Sequence, residues 1–263
     1  MVTVLADAPG SSALLLDFDG SLAPIVADPA VAAAPTATLA VVERLAAGLL
    51  LVGIVSGRPL EFLARAVPIT RVELIGQYGL ERRVDGQTVI VPAALGYRDA
   101  IAAAADEAER RWPELLVERK GEIAVTVHWR AHAAAGEAIA PEIEALAARF
   151  GLAVHPTRMA RELRPPLPVD KGSAVRALLD DAPAATRAAF AGDDRGDLPA
   201  FDAFDTLEAG GRLERAVRIA VRSDEVPGEL LERADLIVDG PAGLLGWLRE
   251  LADALDRPTA RGA

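Results

Sequence analysis

The sequence contains no cysteine. Disulfides, thiolate nucleophiles and cysteine-ligated metals are therefore excluded. It also lacks a basic excess. There are 28 Lys and Arg against 39 Asp and Glu, giving a net charge of −11 and a pI near 4.8. No broad basic face is available to neutralise phosphates, which argues against nucleic acid as a partner. The longest apolar stretch, Leu45 to Val55, is well short of the roughly 20 residues of a membrane span. The opening segment MVTVLADAPGSS has neither the basic region nor the long apolar core of a signal peptide. A soluble cytoplasmic protein with no membrane partner is expected. No internal repeat is visible, and low complexity is confined to Ala-rich patches that favour helix. The 263 residues, 51% hydrophobic and 25% charged, have room for one large or two modest domains.

What is present centres on LLLDFDGSLAPI, Leu14 to Ile25. Leu14, Leu15 and Leu16 form a short apolar run, as in a strand buried on both faces of a parallel sheet. Asp17 and Asp19 follow at i and i+2, so an extended chain would point both carboxylates the same way. Open α/β sheets bind their ligands at such strand ends. Two like charges so close call for a bound cation or a shared proton. Oxygen-only ligands favour Mg²⁺, which often takes one or two carboxylates plus a substrate phosphate. Gly20 permits a sharp turn, and the N–H groups after it, from Ser21 on, could cradle an anion. The competing reading is an Asp-rich loop that caps the next helix.

Further along, Thr36 is a candidate cap for a helix from Ala37 to about Ala47. Leu49 to Val55 reads as a second buried strand, ending in Ser56-Gly57-Arg58-Pro59. Ser56 is either a helix N-cap or a phosphate ligand using the same helix-start geometry. Val72 to Ile75 is a third strand, followed by a hairpin about Asp85-Gly86. Alternating strands and helices predict an α/β, doubly wound, Rossmann-like core. From Pro92 the order becomes helix, two strands, helix, two strands. This predicts an inserted α+β domain over 92–164, with the core formed by 1–91 and 165–263. Proline-rich Pro165-Pro166-Leu167-Pro168 returns the chain to the core. Asp170-Lys171-Gly172-Ser173 then opens a helix. A short strand, Ala188 to Ala191, leads into Gly192-Asp193-Asp194-Arg195-Gly196-Asp197.

Four patches thus fall at strand ends or helix starts: Asp17/Asp19, Ser56-Gly57-Arg58, Lys171, and Asp193/Asp194/Asp197. Singly, Lys171 reads as a solvated helix-start lysine and the acidic run as a capping turn. Together at one sheet edge they suit phosphoryl transfer. Asp17 is the best nucleophile, forming an aspartyl-phosphate. Asp19 would protonate the leaving oxygen and then deprotonate the attacking water. Mg²⁺ would bridge Asp17, the Asp19 backbone carbonyl and Asp193, with Asp194 and Asp197 as further candidates. Ser56 and Lys171 would hold the remaining phosphoryl oxygens.

This set resembles the haloacid-dehalogenase superfamily and, more narrowly, the trehalose-6-phosphate phosphatases. The four motifs are DFDGS, SGR, the lysine of DKG, and GDDRGD, and the insert corresponds to what the superfamily calls a cap. Leu22 to Ile25, Glu118 with Lys120, His128-Trp129-Arg130, and Glu162-Leu163-Arg164-Pro165 resemble the trehalose branch. The resemblance implies that Glu118, Lys120 and Glu162, with His128, Arg130 and Arg164, hold sugar hydroxyls. Left to themselves, Glu118 and Lys120 would read as a solvated hairpin pair, and His128 as a packed strand histidine. Three departures stand out: Ser21 replaces the usual Thr, Tyr78 the common His, and Arg195-Gly196 a pair ending in Thr. The implied activity is Mg²⁺-dependent hydrolysis of trehalose 6-phosphate. The alternatives are another sugar or glycosyl-polyol phosphate as substrate, a phosphomannomutase-like phosphotransferase, or a non-catalytic sugar-phosphate-binding module. The expected partner is the small sugar phosphate. A monomer is expected, and the resemblance leaves room for association with a trehalose-phosphate synthase.

Overall fold

The computed structural model describes residues 1–26, 29–84, 86–129, 132–157, 159–223 and 226–257. Asp85, Arg130, Arg158 and the tail after Arg257 lie outside the described residues. The chain divides into two compact units, Met1–Thr88 with Val169–Ala263, and Val89–Pro168.

The chain opens with a short helix, α1 (Val2–Ala6), then β1 (Ser12–Leu16), α2 (Thr36–Gly48), β2 (Leu51–Val55), α3 (Leu60–Ala66), β3 (Val72–Gly76), β4 (Glu81–Val84) and β5 (Gln87–Ile90). The second unit holds α4 (Pro92–Leu95), α5 (Arg98–Arg111), β6 (Leu116–Lys120), β7 (Ala124–His128), α6 (Ala133–Arg149), β8 (Ala153–Thr157) and β9 (Ala160–Arg164). The chain then returns through α7 (Lys171–Asp181), β10 (Arg187–Gly192), α8 (Leu198–Ala209), β11 (Arg215–Arg222), α9 (Gly228–Arg233), β12 (Leu236–Asp239) and α10 (Gly240–Leu255).

The large sheet runs β12-β11-β10-β1-β2-β3-β4-β5. Its pairings from β12 to β3 are parallel, and β4 joins β3 antiparallel. All five residues of β1 are buried. Alternation sends them into two layers. Leu14 and Leu16 pack with Leu5, Leu45, Trp247 and Leu248 on one side. Ala13 and Leu15 pack with Val175, Leu178, Phe201 and Phe204 on the other. This is the double-wound arrangement that apolar strand runs alternating with helices predict. In the second unit the sheet runs β6-β7-β9-β8, antiparallel throughout. Val125, Val127 and Leu163 pack on α5 and α6 residues such as Ile101, Ala105, Ile143 and Leu146.

One local expectation fails. Thr36 does not cap α2; it is the first helical residue, Pro35 takes the cap position, and no side chain caps the helix. The short helices α1, α4 and α9 were not expected. No helix among the described residues is long and apolar enough to cross a membrane.

Candidate active site

Strands β10, β1 and β2 are adjacent, and Asp193, Asp17 and Ser56 follow their carboxyl ends. The chain lays β2 and β3 on one side of β1, then returns to place β10 on the other. Asp17 and Asp193 therefore flank the point where strand order reverses, the usual ligand position in such sheets.

Lys171 reaches this point because its helix starts where it does. The Asp170 carboxylate accepts from the Ser173 N–H at 2.7 Å, and the Asp170 N–H donates to the Ser173 hydroxyl at 3.0 Å. This reciprocal cap fixes Lys171 as the first residue of α7. Its Nζ donates to Asp17 Oδ1 and to Asp197 Oδ1, each at 2.6 Å. The other oxygen of Asp197 accepts from the Asp193 and Asp194 N–H groups at 2.9 and 3.0 Å. Asp197 is fully buried and ties the lysine to the acidic loop. Carboxylate oxygens of Asp17, Asp193 and Asp197 lie within 4.8 Å of one another. Gly20, at φ +77°, lets the backbone pass against Asp193; a Cβ there would stand 2.0 Å from Asp193 Oδ2.

One ammonium cannot offset three buried carboxylates. Burial opposes the charge of Lys171, yet Asp17, Asp197 and Asp194 outweigh it and hold the ammonium well above its usual range. Burial lifts Asp17, and Asp193 and Asp194 add to the shift while Lys171 opposes it. Asp193 is pushed up to about 8, first by burial and then by Asp197 and Asp194. A compact set of hard oxygen donors with surplus negative charge fits a divalent cation of the Mg²⁺ kind.

A pH signature follows from Asp193. Its folded pKa lies above the unfolded value of 3.8, so the fold binds the extra proton between those limits. Without a divalent cation, this group's contribution to stability is full below about pH 4 and is lost as pH rises through about 8. A bound divalent cation would displace that proton, so its binding would weaken as pH falls below 8. The rise in Tm caused by Mg²⁺ should therefore widen from pH 6 to pH 8 in thermal unfolding. A Mg²⁺-induced shift that stays flat across that range would refute the assignment.

The Asp19 carboxylate does not join this cluster. The strand ends at Leu16, and Asp19 lies in a turn closed by the Leu22 and Ala23 N–H groups on Phe18 O, where strand alternation no longer applies. Arg58 Nε donates to Asp19 Oδ2 and Arg58 Nη2 to Asp19 Oδ1, both at 2.7 Å. Each acid of the pair thus has its own cation, Lys171 for Asp17 and Arg58 for Asp19. Asp194 also stays outside the cluster: its Oδ1 accepts from Gly196 N–H at 2.8 Å and caps the following turn. Arg58, the guanidinium of the Ser56-Gly57-Arg58 patch, is thus engaged by Asp19. The expected anion cradle is also narrower. The Gly20 N–H donates to Ala23 O, and the Leu22 and Ala23 N–H groups to Phe18 O. Ser21 Oγ, by contrast, is buried with no hydrogen-bond partner. Ser56 is buried and its Oγ accepts from Arg58 N–H at 3.2 Å, so it caps its own turn rather than α3. Gly57 lies between them against the Tyr78 ring.

In the second unit the register pairs Glu118 with Thr126, Thr126 with Glu162, and Glu162 with His155. Opposed residues share a face, and alternation adds Lys120, His128 and Arg164 to it. This face is opposite the one packed on α5 and α6. Lys120 Nζ donates to Glu162 Oε2 at 2.6 Å, and His128 Nε2 lies 2.9 Å from Glu118 Oε2. Glu162 is fully buried, and its Oε1 has no hydrogen-bond partner. Of the residues expected here, Arg130 lies outside the described residues.

A family profile described as trehalose-phosphatase matches residues 15–241. The chain belongs to this family. A trehalose-phosphate phosphatase of Mycobacterium marinum is 32% identical over 253 residues, covering 92% of this chain and 62% of that protein. The chain thus spans less than two thirds of the relative's length. Among solved structures, a trehalose-6-phosphate phosphatase related protein aligns with TM-score 0.76 and 26% identity, over 92% of this chain and 97% of that one. A haloacid dehalogenase-like hydrolase from Bacteroides thetaiotaomicron shares the fold, with TM-score 0.61 and 13% identity, over 91% and 99%.

As a member of the trehalose-phosphatase family, the chain departs from the expected pattern at positions with visible uses. Tyr78 adopts φ +60° and its N–H donates to Ser56 O at 2.9 Å, so the residue shapes the Ser56 turn. Gly196 supplies the N–H that Asp194 caps. Thr126 went unnoticed in the sequence, although it alternates with His128 on β7 and its hydroxyl lies 3.4 Å from Glu162 Oε2. Gln77 and Glu81 were also missed; nothing in their local pattern marks them.

Proposed function

We propose that this chain is a Mg²⁺-dependent phosphatase that hydrolyses trehalose 6-phosphate to trehalose and phosphate through an aspartyl-phosphate. The observation that carries the reading is Lys171 bound to Asp17 inside a buried set of three aspartates at the strand-order switch. Lys171 holds one oxygen of Asp17, and the other attacks phosphorus as the bond to the sugar oxygen breaks. Asp19 gives a proton to that leaving oxygen. It then takes one from the water that attacks phosphorus, which breaks the phosphorus–oxygen bond to Asp17, restores the Asp17 carboxylate and releases inorganic phosphate. Ser21 Oγ and Ser56 donate to phosphoryl oxygens, and Lys171 offsets their charge. Asp17 and Asp193 would hold Mg²⁺, which supplies neutralisation of phosphoryl charge when bound. Asp197 keeps Lys171 and the Asp193 loop in place.

The second unit supplies selectivity. Glu118, Lys120, His128, Glu162 and Arg164 would hold sugar hydroxyls, with the open acceptor Glu162 Oε1 supporting that role. The absence of cysteine suits a cytoplasmic enzyme.

Phosphate release from a panel of disaccharide and monosaccharide phosphates, with and without Mg²⁺, tests the reading. Trehalose 6-phosphate should lead by at least about tenfold in kcat/KM, about 1.4 kcal/mol of transition-state preference. Equal or better turnover of monosaccharide phosphates would overturn the substrate. Return of a phosphorylated sugar in place of free phosphate would indicate a mutase.

A further inference from the structure

We propose that Arg58 is a positioning residue for Asp19, held in place by a brace built from Phe18, Phe62, Gln77, Tyr78 and Glu81. The inference rests on the proposed role of Asp19 in proton transfer. The guanidinium meets both oxygens of Asp19 at 2.7 Å. It uses one lone pair on each oxygen and leaves others to give or take a proton. A bidentate fork sets the carboxylate plane in a way a point charge cannot.

The fork is itself fixed from several sides. Its guanidinium carbon stands 4.5 Å over the Phe62 ring. Phe62 meets Phe18 edge to face at 5.7 Å, and Phe18 lies between Asp17 and Asp19 in sequence. The backbone is held as well. Arg58 O accepts from Gln77 N–H and Ser56 O from Tyr78 N–H, both at 2.9 Å. Gln77 and Tyr78 adopt φ +51° and +60° to make these bonds. Two successive left-handed non-glycine residues carry strain, which persists only where the surroundings impose it. Below the turn, buried Glu81 accepts from Leu60 N–H at 2.6 Å and lies 3.5 Å from Gln77 Nε2. Glu81 therefore ties the start of α3 to the turn that bonds Arg58.

Leaving-group dependence tests this. An alkoxide leaving from a sugar phosphate needs the proton that Asp19 supplies, whereas p-nitrophenolate does not. The constant kcat/KM reports the first irreversible step and excludes later hydrolysis of the aspartyl-phosphate. With Mg²⁺ present, Arg58→Ala should lower kcat/KM for trehalose 6-phosphate at least tenfold more than for p-nitrophenyl phosphate. Arg58→Lys should not restore the ratio. Glu81→Ala should move the ratio the same way by a smaller factor, and Glu81→Gln, which keeps the acceptor, should restore it. An equal fall for both substrates in Arg58→Ala would mean that Arg58 binds the phosphate they share, and would overturn the proposal. So would full rescue by lysine. If trehalose 6-phosphate is not hydrolysed but another sugar phosphate is, the substrate reading fails and the same ratio is taken with that sugar. If the wild-type protein releases no phosphate at all, the catalytic reading fails, and crystals decide the positioning. Asp19 should occupy one rotamer in the wild type and several in Arg58→Ala; one shared rotamer in both overturns it.

Discussion

Asp17→Asn should lower kcat by about 10⁴-fold or more while leaving the fold intact. The scale follows from other covalent enzymes, in which loss of the nucleophile removes nearly all of the chemical step. The fold should survive because asparagine keeps the shape and Lys171 keeps its second partner, Asp197, at 2.6 Å. The substitution also removes one of three crowded buried carboxylates, whose ionisation burial already opposes. The variant should therefore unfold within a few degrees of the wild type when no divalent cation is present. It should also gain less from Mg²⁺, having lost a donor. Phosphate release and thermal unfolding measured on one preparation check both halves. Residual turnover within a hundredfold of wild type would remove Asp17 as the attacking group.

The second large effect is expected at Gly20, where fold and function should separate. An alanine at φ +77° costs about 1–2 kcal/mol. Its Cβ would also fall 2.0 Å from Asp193 Oδ2. That carboxylate is the tip of a side chain and can turn away, so the chain still folds but one cation donor is displaced. Gly20→Ala should weaken the Mg²⁺ requirement constant at least tenfold, read from the concentration giving half-maximal phosphate release. Gly172 provides the contrast. A Cβ there would meet the backbone oxygen of Pro199 at 2.2 Å, an atom that cannot turn aside. Gly172→Ala should yield little folded protein. Wild-type Mg²⁺ dependence in Gly20→Ala would show that the cation does not use Asp193 in its present position.

Much of this site can be read from the chain because local rules carry it. Three leucines before DFDG mark a strand buried on both sides, and the structure buries all five residues of β1. Asp170-Lys171-Gly172-Ser173 reads as a helix opening, and in the structure a reciprocal cap sets Lys171 at the head of α7. Alternation along β6, β7 and β9 gathers the polar residues of the second unit on one face. What escapes the sequence depends on partners distant in the chain. The i, i+2 rule holds only within the strand, so it could not foresee that Asp19 turns to Arg58. Glu81 looks like any strand carboxylate until its bond to Leu60 N–H is seen. The segment VTVLA, rich in β-branched residues, becomes helical because Leu5 is buried among α2 and α10 residues.

The pairing of β1 with β10, Ser12 opposite Arg187, also bears on how the protein is made. On the ribosome β1 gains β2 early, but its other edge stays bare until the second unit has been synthesised. At 5–20 residues per second, that wait is roughly 10–35 s. Throughout it, a greasy strand with unpaired backbone groups invites aggregation. A divalent cation could not help in that interval, because Asp193, which would help to hold it, has not yet been translated. Nascent chains halted before β10 should therefore depend on chaperones far more than the finished protein does.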